Sequence, residues 1–397
     1  MSDKRIPRIY LGKEIRAMDE QHCEAASTMR AMILASGKLI ADQIEAAPDG
    51  DVLLFCGPGN NGADGLAAAS ILGSKRKTAF VLIDERKTNE DWQFFKQAAL
   101  DTGAKVISLE EAGNQSGVSI VVDAILGSGA REGLMGEYEC AAKTINTLGQ
   151  NAFVLAVDIP TGAGTDTGHL APNAVQANQT LALSGLKMAH VLYPAAESAG
   201  EVIIRYPFES EYQPPKQRFL FNENSITVPK RSRHSHKGTY GCLLIIAGSA
   251  GMAGAGKMSA QSALRSGCGT LVVAAPKSTA ALYRLAFTEA MTVALPEDDH
   301  GGYTAAPLPA EVINNAQAVL IGPGTGKSEG VWAHIECISR SGLPMVIDAD
   351  GLNALARHSG WEETVCGRAV LTPHPAELAR LIGSSIKRVL DDPLRSV

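Results

Sequence analysis

Short apolar runs without alternation recur along the first half of the chain. They are Val52-Leu53-Leu54-Phe55, Thr78-Ala79-Phe80-Val81-Leu82, Val118-Ser119-Ile120-Val121-Val122 and Phe153-Val154-Leu155-Ala156-Val157. Such continuity predicts strands buried on both faces, as in a parallel sheet. Helix-like stretches over 65–72 and 91–101 lie between them. This β-then-α rhythm predicts a doubly wound α/β domain. Pro207, Pro214 and Pro215 then punctuate a break. The rhythm restarts with Cys242-Leu243-Leu244-Ile245-Ile246, Leu271-Val272-Val273-Ala274, Ala318-Val319-Leu320-Ile321, Met345-Val346-Ile347 and Ala369-Val370-Leu371. The expected organisation is a first domain over 1–213, a linker over 214–237 and a second α/β domain over 238–397. The halves share this rhythm without a sequence repeat.

Composition narrows the class. The 397 residues are 45% apolar and 20% charged, with 40 Gly and no low-complexity tract, which fits a globular chain rather than a collagen-like or disordered one. A net charge of −6 gives no general attraction to nucleic acid or anionic lipid. No apolar run reaches the roughly 18 residues of a membrane span, and residues 1–7 lack a signal-peptide core. The seven Cys never form a Cys-x-x-Cys pair, which argues for a reducing cytoplasm and against a zinc site. Residues 216–237 hold six Lys/Arg against one acid, either an anion site or a solvated linker that docks on acidic surface.

The chemistry gathers after the strands. Gly57-Pro58-Gly59-Asn60-Asn61-Gly62-Ala63-Asp64-Gly65 follows one apolar run and opens an Ala-rich helix, a natural seat for pyrophosphate. Its spacing is not that of the dinucleotide fingerprint. Asp123 and Asp158 each end a strand, where ligands bind in open parallel sheets. Asn61, Asp123 and Thr161 would offer hard oxygens to an alkali or alkaline-earth cation; alternatively, each acid caps a turn. Gly127-Ser128-Gly129-Ala130-Arg131-Glu132-Gly133 is a second donor-rich loop, where Arg131 either clamps a phosphate or pairs on the surface. Lys187 follows another apolar strand, where a functional and a structural reading weigh equally.

Three motifs in this order, Gly-x-Gly-Asn-Asn-Gly-x-Asp-Gly, Val-Asp-Ala-Ile-Leu-Gly and Val-Asp-Ile-Pro-Thr-Gly, resemble the NAD(P)HX epimerase domain over about residues 8–205. That domain is often the front half of a bifunctional NAD(P)H-hydrate repair enzyme. The resemblance implies a Rossmann-like fold and a K⁺ held by Asn61, Asp123 and Thr161. It implies substrate contacts from Asn60, Asn61, Gly62, Ala63 and Asp64, from 127–133, and from Asp158. The implied reaction interconverts the R and S hydrates of NADH or NADPH at C6, with Asp158 the first candidate for acid–base work there and Lys187 the second. The family usually has Gly at Ala63 and Ser at Thr161. Its early helix reads Leu-Met-Glu-x-Ala-Gly where this chain has Met32-Ile33-Leu34-Ala35-Ser36-Gly37.

The second half carries His236-Lys237-Gly238, Gly248-Ser249-Ala250-Gly251-Met252-Ala253-Gly254-Ala255, Gly322-Pro323-Gly324-Thr325-Gly326, Asp348-Ala349-Asp350-Gly351-Leu352-Asn353 and Thr372-Pro373-His374-Pro375-Ala376-Glu377. Gly-rich loops after strands suit phosphates, and Asp348, Asp350 and His374 are candidate ligand readers, though His374 beside two prolines would equally fix a turn. Together these motifs resemble the ribokinase-like NAD(P)HX dehydratase domain. The resemblance implies use of ADP or ATP and hydrate contacts at Ala255, Gly324 and His374. The family's later Gly-Thr-Gly-Asp is absent after His374, so this C-terminal ribokinase-like α/β domain is expected to be incomplete and its dehydratase activity doubtful. The alternatives are a binding module without turnover and a small-molecule kinase. The expected partners are NADHX or NADPHX and a second copy of the chain, with no nucleic acid and no membrane.

Overall fold

A computed structural model describes the chain apart from residues 1–5, 26, 27, 74, 130–132, 223, 224, 227 and 229. It divides into two compact units, Met1–Val228 and Pro229–Val397. No helix among the described residues is long and apolar enough to cross a membrane.

The apolar runs of the first unit become strands. They are β1 (Ile9–Tyr10), β2 (Asp51–Cys56), β3 (Thr78–Leu82), β4 (Lys105–Val106), β5 (Val118–Ala124), β6 (Phe153–Val157), β7 (Gln179–Leu183), β8 (Leu186–Lys187) and β9 (Glu201–Arg205). Seven make a parallel sheet in the order β4-β3-β2-β5-β6-β7-β9, and β1 pairs with β8 apart from it. The chain starts in the middle at β2, runs to one edge, returns to β5 and runs to the other. The switch between β2 and β5 is where open parallel sheets bind ligands. Strands β2 and β5–β7 are almost wholly buried because helices cover both faces, as the missing alternation predicts.

Two helices shape the switch point. The helix Met29–Glu45 is capped by the Thr28 hydroxyl and packs on the helix Asn60–Leu72. Gly37 permits this approach, since a Cβ there would lie 2.5 Å from the Cβ of Ala67. The Asn60–Leu72 helix starts five residues before the predicted 65–72 stretch. Asn60 to Gly65 are therefore helical turns rather than loop, and Ala63 sits buried in helical backbone where a Cβ carries no strain. The buried Trp92 indole donates to the carbonyl of Gly57 at 2.8 Å and pins the turn that precedes this helix.

The second unit contains β10 (Cys242–Ile246), β11 (Thr270–Pro276), β12 (Met291–Leu295), β13 (Ala318–Ile321), β14 (Met345–Ile347) and β15 (Ala369–Leu371). Its parallel order is β12-β11-β10-β13-β14-β15, again with a switch beside the first strand, between β10 and β13. On β14 Met345 and Ile347 are buried while Val346 faces outward, and Val370 on the edge strand is 62% exposed.

The basic stretch is partly docked on the first unit. The amide of Ile9 donates to the carbonyl of Arg218, and the Arg218 guanidinium meets the buried Glu14 carboxylate at 3.1 Å.

Candidate functional site

The carboxyl ends of β2, β5, β6 and β7 open into a cavity of about 390 Å³. Of the predicted residues, Asn60, Asn61, Asp64, Gly127, Ser128, Gly129 and Asp158 line it. Gly62 and Ala63 lie beneath the wall, and Gly133 is outside the lining. Ala130, Arg131 and Glu132 fall outside the described residues. Two glycines let the loops meet: a Cβ at Gly57 would lie 2.0 Å from the Ile125 carbonyl oxygen, and one at Gly62 would lie 1.8 Å from that of Gly57.

Asp158 sits at the tip of β6 with φ 69°, in the left-handed region that residues other than glycine seldom adopt. Its backbone is held on both sides. The Asp158 amide donates to the carbonyl of Leu181 at 2.9 Å. His190 fixes the other side: its Nδ1 accepts from the Lys187 amide at 3.0 Å, so Nε2 carries the hydrogen and donates to the Asp158 carbonyl at 2.8 Å. Burial and the Lys187 ammonium depress the His190 pKa to about 4, which keeps the ring neutral.

The Asp158 carboxylate accepts from the fully buried Lys187 ammonium and, at 2.8 Å, from the Ser128 amide. Burial alone would raise its pKa, but Lys187 and these hydrogen bonds prevail and hold it below the ordinary range. Lys187 also donates to the Leu183 carbonyl and does not line the cavity. It meets the carboxylate from behind.

The cation candidates surround one turn. Asp123 is fully buried and accepts from the Thr161 hydroxyl at 2.7 Å, the Thr161 amide at 2.7 Å and the Ile125 amide at 3.2 Å. The Thr161 hydroxyl in turn accepts from the Leu126 amide at 3.1 Å. Burial raises the Asp123 pKa to about 6 despite these bonds. Asn61 approaches the same turn at Gly127, and its buried side-chain nitrogen has no hydrogen-bond partner.

Sequence reasoning missed the opposite wall. Ile15, Arg16 and Asp19 come from the helix Gly12–Ala25, Met32, Ile33 and Ser36 from Met29–Glu45, and Phe208 from the chain after β9. The Ser36 side chain hydrogen-bonds Asp64, so the early helix contributes a hydroxyl where its sequence holds no acid. Burial and then the charges of Asp158 and Asp19 push the Asp64 pKa well up. Burial, followed by the charge of Asp158, raises that of Asp19 to about 7. Nothing in local periodicity marks Asp19, because packing alone brings its helix over the sheet.

In the second unit the switch point is built from backbone. The Gly248 amide donates to the Pro323 carbonyl at 2.8 Å, and the Ser249 hydroxyl to the Gly324 carbonyl at 2.9 Å. Asp350 accepts from the Gly326 amide at 2.9 Å, and Asp348 from the Thr372 hydroxyl at 2.9 Å. Ala255 and Gly324 touch and share a cavity of about 1030 Å³ with Asp348. His374 does not line it. Its Nδ1 caps the helix Pro375–Leu381 by accepting from the Ala376 amide at 3.1 Å, so the turn-fixing role is realised.

Known proteins match both units. The family model described as YjeF-related protein N-terminus matches residues 24–189, and that of NAD(P)H-hydrate dehydratase matches residues 243–395. A bifunctional NAD(P)H-hydrate repair enzyme of Moorella thermoacetica is 31% identical over 387 residues, covering 90% of this chain and 72% of the relative. The namesake of Escherichia coli is 28% identical over 400 residues, 97% of this chain and 74% of the relative. Among solved structures, the ADP/ATP-dependent NAD(P)H-hydrate dehydratase of Bacillus subtilis is 29% identical at a TM-score of 0.34, covering 43% of this chain and 57% of that one. Likeness at that score adds nothing to the match in sequence.

Proposed function

We infer the division of labour from one premise: the chain belongs to the family of bifunctional NAD(P)H-hydrate repair enzymes, epimerases joined to dehydratases. In our reading the 390 Å³ cavity is the epimerase site. The observation that carries this is Asp158, a carboxylate kept ionised by Lys187 and aimed by the Ser128 amide at the topological switch point. In the hydrate, the C6 hydroxyl lies beside the ring nitrogen. The nitrogen lone pair expels it and leaves an iminium, and water adds to the other face. Asp158 takes the proton of that water. Lys187 acts through Asp158 rather than on substrate. The side chains of Asn60, Asn61 and Asp64 and the 127–133 loop hold the nucleotide, with the helix N-terminus at Asn60 facing its pyrophosphate.

A K⁺ fits the oxygens of Asn61, Asp123 and Thr161. Asp123 is a buried carboxylate with hydrogen-bond donors but no cationic partner among the described residues. Bound there, K⁺ would supply the positive charge that Asp123 lacks, held by Asn61, Asp123 and Thr161. Replacing Li⁺ with K⁺ stabilises the first unit by ~1 kcal/mol once free K⁺ is about fivefold above its Kd. Asp123→Asn removes that difference in thermal unfolding, and an equal response in both salts rejects the site.

The second unit, within 238–397, takes the S hydrate at Ala255 and Gly324, which share a cavity that His374 does not line, and uses ADP or ATP to turn the C6 hydroxyl into a leaving group. Scattered free thiols suit a cytoplasmic setting, and the exposed apolar edge at Val370 suits a homo-oligomer.

The test is purified R-NADHX with K⁺, chromatographed over time with and without ADP or ATP against a protein-free control. Growth of the S epimer above the control is expected, and its absence rejects the epimerase reading. NADH that appears only with nucleotide assigns dehydration to the second unit. Asp158→Asn lowers the epimerisation kcat by about 10²–10⁴-fold; near-wild-type turnover removes Asp158 from its role.

A further inference from the structure

We propose that Asp19 is the second proton-transfer residue of the epimerase, the acid that protonates the C6 hydroxyl as it leaves while Asp158 receives the proton of the incoming water. The assignment rests on the first unit being the epimerase. Among the described residues three carboxyl groups line its cavity, Asp19, Asp64 and Asp158, and their attachments differ. Asp158 is bound by Lys187 and Ser128, and Asp64 by Ser36. Asp19 makes no hydrogen bond or ion pair among the described residues, so its proton is free for a ligand. It enters from the helix Gly12–Ala25, whereas Asp158 enters from the sheet edge. A flat ring between them meets one group on each face.

The surroundings separate the two carboxyls. Arg16, Glu20 and Cys23 share the helix of Asp19, Asp64 faces it from the helix Asn60–Leu72, and Asp158 and Lys187 face it from the strand ends. Burial and the Asp158 charge outweigh the pull of Lys187 and hold Asp19 protonated up to about pH 7. Asp158, with Lys187 against it, stays ionised. Two carboxyls whose environments divide them in this way are suited to act as acid and base.

The step balances without a further reactant. The C6–O bond breaks, its electron pair leaves with oxygen, and oxygen takes the Asp19 proton and departs as water. The ring-nitrogen lone pair becomes the second bond of the C6=N iminium. A water on the other face forms the new C6–O bond, passes a proton to Asp158, and the C=N pair returns to nitrogen. Asp19 ends ionised and Asp158 protonated, the state that drives the reverse conversion, and exchange with solvent restores the first.

The experiment compares wild type, Asp19→Asn, Asp19→Glu and Asp64→Asn as full chains with K⁺ between about pH 5.5 and 9. It follows R-to-S conversion after subtraction of the spontaneous rate. Wild-type kcat falls above about pH 7 as Asp19 loses its proton. Asp19→Asn lowers kcat about 100-fold with KM within about threefold, and flattens that alkaline limb. Asp19→Glu restores at least about a tenth of kcat and moves the limb. A kcat for Asp19→Asn within about threefold of wild type, or loss of the limb in Asp64→Asn instead, overturns the proposal. A wild type that does not exceed the spontaneous rate overturns the epimerase reading itself.

Discussion

The two sheets place their first strand in the same position and reverse direction beside it, yet they equip the switch point differently. In the first unit buried side chains gather there: Asp123 and Lys187 are fully buried, and Asp64, Asp158 and His190 nearly so. In the second, glycine turns at 248, 322, 324 and 326, all with positive φ, come together, and Asp348, Asp350 and His374 keep contact with solvent. Preorganised carboxyls in a small cavity suit proton transfer at one carbon atom. Open turns of backbone amides suit phosphate oxygens. One strand order thus supports two kinds of chemistry, and the turns after the strands decide which.

If the first site depends on buried charge, removing one partner damages stability as well as catalysis. Lys187→Met leaves Asp158 buried beside a methyl group and destabilises the first unit by about 3–5 kcal/mol. Urea unfolding followed by Trp92 fluorescence, with Trp332 and Trp361 replaced by Phe, reads this unit alone, because these are the three Trp of the chain. A loss under about 1 kcal/mol shows that Lys187 and Asp158 are not an obligate pair.

The next effect is smaller and depends on pH. His190 titrates near 4 when folded and near 6.5 when unfolded. Below about pH 6.5 the unfolded chain binds a proton that the folded chain refuses, so stability falls as pH drops towards 4. Asp19 and Asp123, raised to about 7 and about 6, act with the opposite sign, so the informative quantity is the difference between wild type and His190→Gln. That difference shrinks by ~3 kcal/mol between pH 7 and 4. Parallel stability curves contradict a buried neutral imidazole.

The smallest effect tests the second unit. Gly324 has φ 64°, and a Cβ there would lie 2.8 Å from the Cβ of Ala255 and 2.9 Å from the Met252 carbonyl oxygen. Gly324→Ala destabilises this unit by about 1–2 kcal/mol, read by Trp332 and Trp361 with Trp92 replaced, and leaves epimerisation unchanged. A matching fall in epimerisation shows that the two sites are not independent.

Much of this comparison was legible before any coordinates. Strands β3 and β6 run over the predicted residues, and β2 and β5 extend theirs by one or two. Asp123 and Asp158 stand at strand ends as read, and the motif order identified the family that the matches then established. The helical character of Asn60 to Gly65 was hidden because glycine and asparagine signal a turn, while the helix draws its stability from burial against Met29–Glu45. Lys187 read equally well as a reacting group, until burial placed it behind Asp158.

The sequence by itself determined the two α/β units, the edge of each sheet that carries chemistry, and the family. Unbroken apolar runs have to be buried on both faces, and parallel strands bring their following turns to one edge whatever lies between them. Only the tertiary structure decided which groups face one another across the cavity. Asp19 and Ser36 reach it from helices placed by packing, and the ring of His190 is oriented by the amide of Lys187, three residues away, and by the carbonyl of Asp158, 32 residues away in sequence and adjacent only through the fold. The charge state of each carboxyl follows from that placement, because it depends on exclusion of water and on neighbours distant in sequence.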